Sequence, residues 1–275
     1  MFLKTRYALW GMILVLFSSV SYANLMISPT RVVFEDRDRS QTVYVINSSD
    51  QTKTYRFGLF DQQQISTGGY APIKEGETVA GLNSAKDMIR FSPRQVTLQP
   101  GERQMVRLSL RKPANLAPGE YRSHLSFTEL PNPERLNRQE GAADIRLFMS
   151  LGFTIPVIVR HQAFDVQAQL KNMRVVTVEE GNGHVLLVDI ARTGQGSSFG
   201  RLTAFWRPNK SSSYQELNFV NNIAVYTELN LRESVGISLT PEQAKTGFYK
   251  LVYEGERRYF GNRVFDEIES FIQVQ

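Results

Sequence analysis

Residues 145–159 alternate along the chain with unusual regularity. Ile145, Leu147, Met149, Leu151, Phe153, Ile155, Val157 and Val159 take every odd position, while Arg146, Phe148, Ser150, Gly152, Thr154, Pro156 and Ile158 fall between them. Successive side chains of a strand point to opposite faces, so period-two apolarity predicts a strand with one apolar side. Strands usually run about 5–6 residues, and this one is long. It carries more apolar face than a small sandwich needs. Such a surplus suits a strand lent to another protein, where main-chain bonds give affinity and alternate side chains fill pockets. The competing reading is the central strand of the chain's own sandwich.

Shorter strand signals lie at 31–34, 42–46 and 54–59, rich in β-branched and aromatic residues, and at 91–98, 104–110 and 121–130. The turns Gln99-Pro100-Gly101-Glu102 and Ala117-Pro118-Gly119-Glu120 separate the later ones. Short strands at this spacing with Pro/Gly turns predict an all-β sandwich. Residues 131–143 are polar, with two prolines, and read as the loop of a long hairpin. A second series of strands starts near Phe164 and includes 184–191, 202–206, 248–253 and 268–274. Thr246-Gly247-Phe248-Tyr249-Lys250 echoes Pro118-Gly119-Glu120-Tyr121-Arg122. A Gly followed by Tyr at the start of a strand fits the corner in which a Tyr hydroxyl bonds nearby backbone. Two related sandwiches are therefore expected. The stretch 62–83 is polar and reads as a long loop; its Gly68-Gly69 lacks the strand-to-helix setting of a phosphate loop.

Composition narrows the chemistry. There is no cysteine, which excludes thiol catalysis and thiolate metal sites and leaves core packing to hold the fold. Lys4 and Arg6 precede an apolar run over 8–20, and Ser21-Tyr22-Ala23 fits a small-x-small cleavage site. Residues 1–23 are thus expected to be a secretory signal, with no membrane insertion after its cleavage. The remaining basic excess is mild and without a dense Lys/Arg run, so nucleic acid is not an expected partner.

Several segments together resemble one family. They are Ile27-Ser28-Pro29-Thr30-Arg31-Val32-Val33-Phe34; Phe91-Ser92-Pro93-Arg94 leading to Leu98-Gln99-Pro100-Gly101-Glu102 and Val106-Arg107-Leu108; Tyr121-Arg122-Ser123-His124-Leu125; and the alternating strand ending in Ile155-Pro156-Val157. In this order, behind a signal, they resemble the periplasmic chaperones of the bacterial chaperone–usher pathway, and look most like the archaic branch. The resemblance implies two immunoglobulin-like β-sandwich domains set at an angle with a cleft between them. The first would span 24–160 and carry the donor strand, and the second would span 161–275. It implies fimbrial subunits and an outer-membrane usher as partners, the periplasm as location, and strand donation through Ile145, Leu147, Met149, Leu151 and Phe153.

The family also holds the subunit's C-terminal carboxylate with a basic pair in the cleft. Arg31 matches the first cation. Pro156 stands where the second, a lysine, is expected. Arg122 replaces it if the loop at 131–143 closes the hairpin, because antiparallel counting then puts Arg122 opposite 152–154, close to Pro156. On that reading Arg122→Ala weakens capture and leaves unfolding unchanged. Arg90 is the other candidate, from its place before Phe91-Ser92-Pro93.

Other chemistry is weaker. Gly196-Ser197-Ser198-Phe199-Gly200 matches G-x-S-x-G, but a nucleophile elbow needs a helix after the Ser, and a strand-like run follows. His124, His161 and His184 have no metal spacing, and His124 is expected at a surface or between domains. No enzyme activity, cofactor or metal is expected. The rival functions are a secreted two-domain adhesin or binding protein and, less fitting, a periplasmic serine hydrolase at Ser198.

Overall fold

A computed structural model describes residues 25–74, 76–131, 152–162, 165–178 and 183–274. The strands, in chain order, are β1 (Leu25–Ser28), β2 (Val32–Phe34), β3 (Ser40–Asn47), β4 (Lys53–Phe60), β5 (Gln62–Gln64), β6 (Tyr70–Pro72), β7 (Ile89–Ser92), β8 (Gln95–Leu98), β9 (Arg103–Leu110), β10 (Gly119–Leu130) and β11 (Gly152–His161), followed by β12 (Val166–Val178), β13 (Gly183–Gly194), β14 (Ser198–Arg207), β15 (Gln215–Val225), β16 (Leu231–Leu239), β17 (Gly247–Gly255) and β18 (Val264–Ile272). The described residues are almost all β, with a 3-10 turn at Lys86–Met88 and one α-helical turn at Arg257–Phe260.

Two sandwiches result. The first stacks a sheet of order β1-β3-β9-β7 on one of order β2-β11-β10-β4-β8. The second stacks β12-β13-β16 on β15-β14-β17-β18. Each has its own core. Val43, Val45, Tyr55, Phe57, Leu108, Leu125, Phe127 and Val157 fill the first, and Leu186, Val188, Ile190, Leu202, Tyr249, Leu251 and Tyr253 the second. Burying each such side chain contributes about 1.5–3 kcal/mol, which is how a chain without cysteine holds this fold. The two tyrosine corners are equivalent: the Tyr121 hydroxyl donates to Ala117 O at 2.9 Å and the Tyr249 hydroxyl to Lys245 O at 2.8 Å, four residues back in both cases.

Three expectations need correction. The segment 91–98 is not one strand. Its halves, β7 and β8, lie in different sheets, because the chain crosses the sandwich at Pro93-Arg94. The stretch 62–83 is not a plain loop; it contains the β5–β6 hairpin. The register of β10 on β11 also differs. Arg122 faces Ile158, not 152–154, and the residue opposite Pro156 is His124. Alternation says which face a residue takes and leaves its partner open, and the count from the polar loop misplaced the hairpin's end.

The alternating row changes owner along β11. Ile155, Val157 and Val159 are core residues of the first sandwich, whereas Phe153 is 39% exposed. Ile145, Leu147, Met149 and Leu151 lie outside the described residues.

Candidate functional site: the cleft between the sandwiches

Glu120, Arg122 and His124 of β10 and Pro156, Ile158 and Arg160 of β11 lie on the face turned away from the first core and are nevertheless buried, beneath the second sandwich and the β5–β6 hairpin, whereas Gly152 and Thr154 at the start of β11 are exposed. Ile158 and Val33 pack on Phe199, Ala224 and Tyr226 of the second sandwich, with Tyr259 and Phe260 against them. Around this apolar patch stand three buried cations, Arg31, Arg122 and Arg160. A buried charge is tolerated only when paired, and each has acid within reach.

Arg31 precedes β2 and is 6% exposed. Its Nη1 donates to Glu256 Oε2 at 2.8 Å, and its guanidinium stacks 4.2 Å from the Phe199 ring centre. Burial works to lower its pKa, but Tyr226 and Glu256 outweigh burial and hold it above its usual value. Arg122 is gripped from both sides. Nη1 and Nη2 donate to the two Glu228 oxygens at 2.9 and 2.6 Å, Nη2 also to Gln62 O at 2.9 Å, and the group lies 3.9 Å over the Tyr226 ring. Planar two-point pairing of this kind is among the strongest polar contacts a protein makes. Arg160 bonds Glu35 at 3.0 Å and approaches Glu120 at 3.5 Å. Glu120 in turn accepts from the Ser197 hydroxyl and from its backbone N–H at 3.3 Å.

The β5–β6 hairpin belongs to the first sandwich and bonds to the second. Gln64 acts as a piece of strand laid on the end of β15: its amide N–H2 donates to Ala224 O at 2.9 Å, and its Oε1 accepts from Tyr226 N at 3.0 Å. Its backbone N–H donates to Glu228 Oε1 at 2.7 Å. From the second leg Tyr70 reaches into the cleft. Its hydroxyl meets that of Tyr226 at 3.5 Å, and its ring lies edge-on to His124, 4.9 Å between centres. His124 is 1% exposed, and neither ring nitrogen has a hydrogen-bond partner among the described residues. Burial, with the Arg122 charge beside it, pushes its pKa down to about 3.

Two of the three anchor candidates, Arg31 and Arg122, thus converge on one aromatic, Tyr226. Arg90 does not join them. It sits on β7 in the other sheet of the first sandwich, exposed, with its guanidinium on the carbonyls of Asp87 and Ile89. Sequence reasoning missed Arg160, Glu228, Glu256, Tyr226 and Tyr70. Their positions depend on contacts between distant segments, and no local spacing announces those.

The Ser198 hydroxyl is fully buried, accepts from Tyr253 at 3.4 Å, and opens a strand where an elbow needs a helix. His161 lies by Asp36 and His184 by Thr177, far along the chain from His124 and each with different neighbours. Among the described residues no helix is long and apolar enough to cross a membrane.

Neither a protein-family model nor a curated protein matches this chain. Solved structures do. It is similar to the chaperone of the archaic Csu pili of Acinetobacter baumannii, seen in a pre-assembly complex with the tip adhesion subunit, at 15% identity, covering 92% of this chain and 100% of that one with a TM-score of 0.43. It is similar to the Pseudomonas aeruginosa CupB2 chaperone at 12% identity over 90% and 100% of the two chains, TM-score 0.45, and to the E. coli chaperone DraB at 13% over 92% and 97%, TM-score 0.43.

Proposed function

We propose that this chain is a periplasmic chaperone that caps fimbrial subunits by lending them a strand and delivers them to an outer-membrane usher. One observation carries the reading: an open strand edge that runs up to a buried guanidinium. β11 is paired with β10 along its whole described length, but on its other side β2 covers only Val157, Ile158 and Val159. Residues 152–156 have no strand on that side among the described residues. Arg31 stands immediately before β2, at the upper end of the gap.

An edge strand presents unpaired N–H and C=O groups to any chain that fits them. Such a chain would satisfy both its own backbone and the edge of β11. If its C-terminal carboxylate is to meet Arg31, it must run in the same direction as β2, parallel to β11. The exposed Phe153, with Ile145, Leu147, Met149 and Leu151 ahead of it, supplies the side chains for the guest's missing layer. Arg31 is the direct carboxylate ligand on this reading. Arg122, whose fork is engaged by Glu228, adds positive potential and holds Tyr226 in place. The free-energy gain on assembly comes from exchanging this strand for a better-fitting one, with no nucleotide involved.

The test is co-expression with candidate fimbrial subunits and recovery from the periplasm. The wild-type chain is expected to co-purify with its subunit and Leu151→Glu to lose it. Equal recovery with Leu151→Glu and Met149→Glu overturns strand lending.

A further inference from the structure

The cleft described above is already filled, and its stopper comes from the chain itself. The Tyr70 hydroxyl sits against Tyr226, the residue on which Arg31 and Arg122 converge, and it lies in the field of both guanidinium groups. Below it is a fully buried imidazole with two unpartnered nitrogens. Buried polar atoms left without partners are rare and call for an explanation. An occupant that arrives only in the working state is one.

Resting on the proposed subunit capture, we infer that Tyr70 is a displaceable stopper standing where the guest's C-terminal carboxylate must go, and that its departure uncovers His124 as a neutral donor completing the carboxylate site. The hairpin is built for one leg to move. β5 is tied down by the three bonds of Gln64 to Ala224, Tyr226 and Glu228. The hydrogen bonds of β6 run to β5 and, through Tyr70, to Tyr226. Between the legs lie Gly68 and Gly69 at φ 99° and 81°, a left-handed turn that side chains rarely adopt, and a Cβ on Gly69 would touch nothing within 4 Å. Tyr70 is itself 40% exposed, so only its hydroxyl end must leave the cleft.

The exchange has a chemical direction. Burial, then Tyr226, pushes the Tyr70 hydroxyl pKa far up, so the stopper is neutral. Among the described residues the Tyr70 hydroxyl bonds only the Tyr226 hydroxyl, at 3.5 Å, a weaker hold than an anion gains beside two cations. A carboxylate therefore displaces it, whereas an amidated or internal segment has less to gain. His124 is neutral at physiological pH, so one ring nitrogen carries a proton to donate. The device keeps the cations covered until a chain end arrives.

The test follows capture of a subunit diluted from urea, read as the rate of soluble complex formation, with wild type, Tyr70→Phe, Tyr70→Ala, His124→Gln, His124→Leu and Arg31→Ala. Tyr70→Phe is expected to speed capture about fivefold, the factor that corresponds to one neutral hydrogen bond, and Tyr70→Ala at least as much. His124→Leu should lower yield, with His124→Gln, which keeps a donor, restoring it. In the free protein, diethyl pyrocarbonate should modify His124 at least tenfold faster in Tyr70→Ala than in wild type. Unchanged capture and unchanged His124 modification in both Tyr70 variants overturn the stopper and leave the chaperone reading standing. Equal yields for His124→Leu and wild type overturn the donor role. A wild-type chain that captures no subunit overturns the chaperone reading itself, and Arg31→Ala capturing as wild type does overturns the carboxylate anchor and the stopper with it.

Discussion

Arg122 of the first sandwich and Glu228 of the second are joined by two parallel hydrogen bonds of 2.9 and 2.6 Å, with side chains only 3% and 2% exposed. A pair this deep is held in place by what its loss would leave behind. Removing one partner strands an uncompensated charge, at about 3–5 kcal/mol. Arg122→Ala is therefore expected to destabilise the free protein strongly, contrary to the sequence-based expectation of unchanged unfolding. Urea unfolding of Arg122→Ala, Glu228→Ala and the double variant checks this. The double variant should lose less than the sum of the two singles, as contacting residues do.

The division of the β11 row gives a sharp contrast between neighbours. Phe153 is exposed and Ile155 is in the first core. Phe153→Glu is expected to keep the thermal midpoint within a few degrees and to abolish subunit recovery. Ile155→Glu should fail to fold stably, because an unpaired charge would enter the core. Equal behaviour of the two in thermal unfolding would remove the boundary placed between them.

The two tyrosine corners should differ in weight. Tyr249 is fully buried, while the Tyr121 bond is exposed to water. Losing the hydroxyl is expected to cost about 1–2 kcal/mol in Tyr249→Phe and at most about 0.5 kcal/mol in Tyr121→Phe, since water can replace only the exposed bond. Denaturant midpoints of the two variants measure the difference.

Acid should weaken the fold through His124. Its folded pKa of about 3 lies below the ordinary value of 6.5. Above about pH 6.5 both states are neutral and the residue adds no pH dependence. As pH falls below that, the unfolded chain takes up a proton that the folded cleft refuses. Stability is then expected to drop by roughly 1.4 kcal/mol per pH unit toward pH 3. His124→Gln should remove this slope between pH 6 and 4. Asp36, held down to about 2 by the Gln162 N–H and by Lys112, acts in a separate and lower window, losing its contribution only as pH falls below the usual carboxylate range.

How far these features could be read in advance varied with their range along the chain. Most strands of the first sandwich and the paired tyrosine corners rest on local period and turn chemistry and are legible in the sequence, whereas β15 and β16 of the second sandwich were not singled out. Arg31 and Arg122 were singled out as cleft residues, and they do meet at Tyr226, but the argument for Arg122 used a register four to six residues away from the one observed. The hairpin at 62–72 escaped notice because Gln62-Gln63-Gln64 has no apolar side. Its stabilising bonds go to residues 224–228, more than 150 positions later. Glu228 and Glu256 look in sequence like any solvated acid between strands; docking of the two sandwiches removes Glu228 from water and leaves Glu256 37% exposed.

Both ion pairs described across the cleft have the same polarity: Arg31 and Arg122 come from the first sandwich, and Glu256 and Glu228 from the second. Cut apart, each half would show its twin a like-charged face and the other half an opposite one. Two identical halves would repel, and two different halves would attract over about a Debye length, near 10 Å at 0.1 M salt. The arrangement thus encodes mutual recognition between the halves, and rising ionic strength should blunt it.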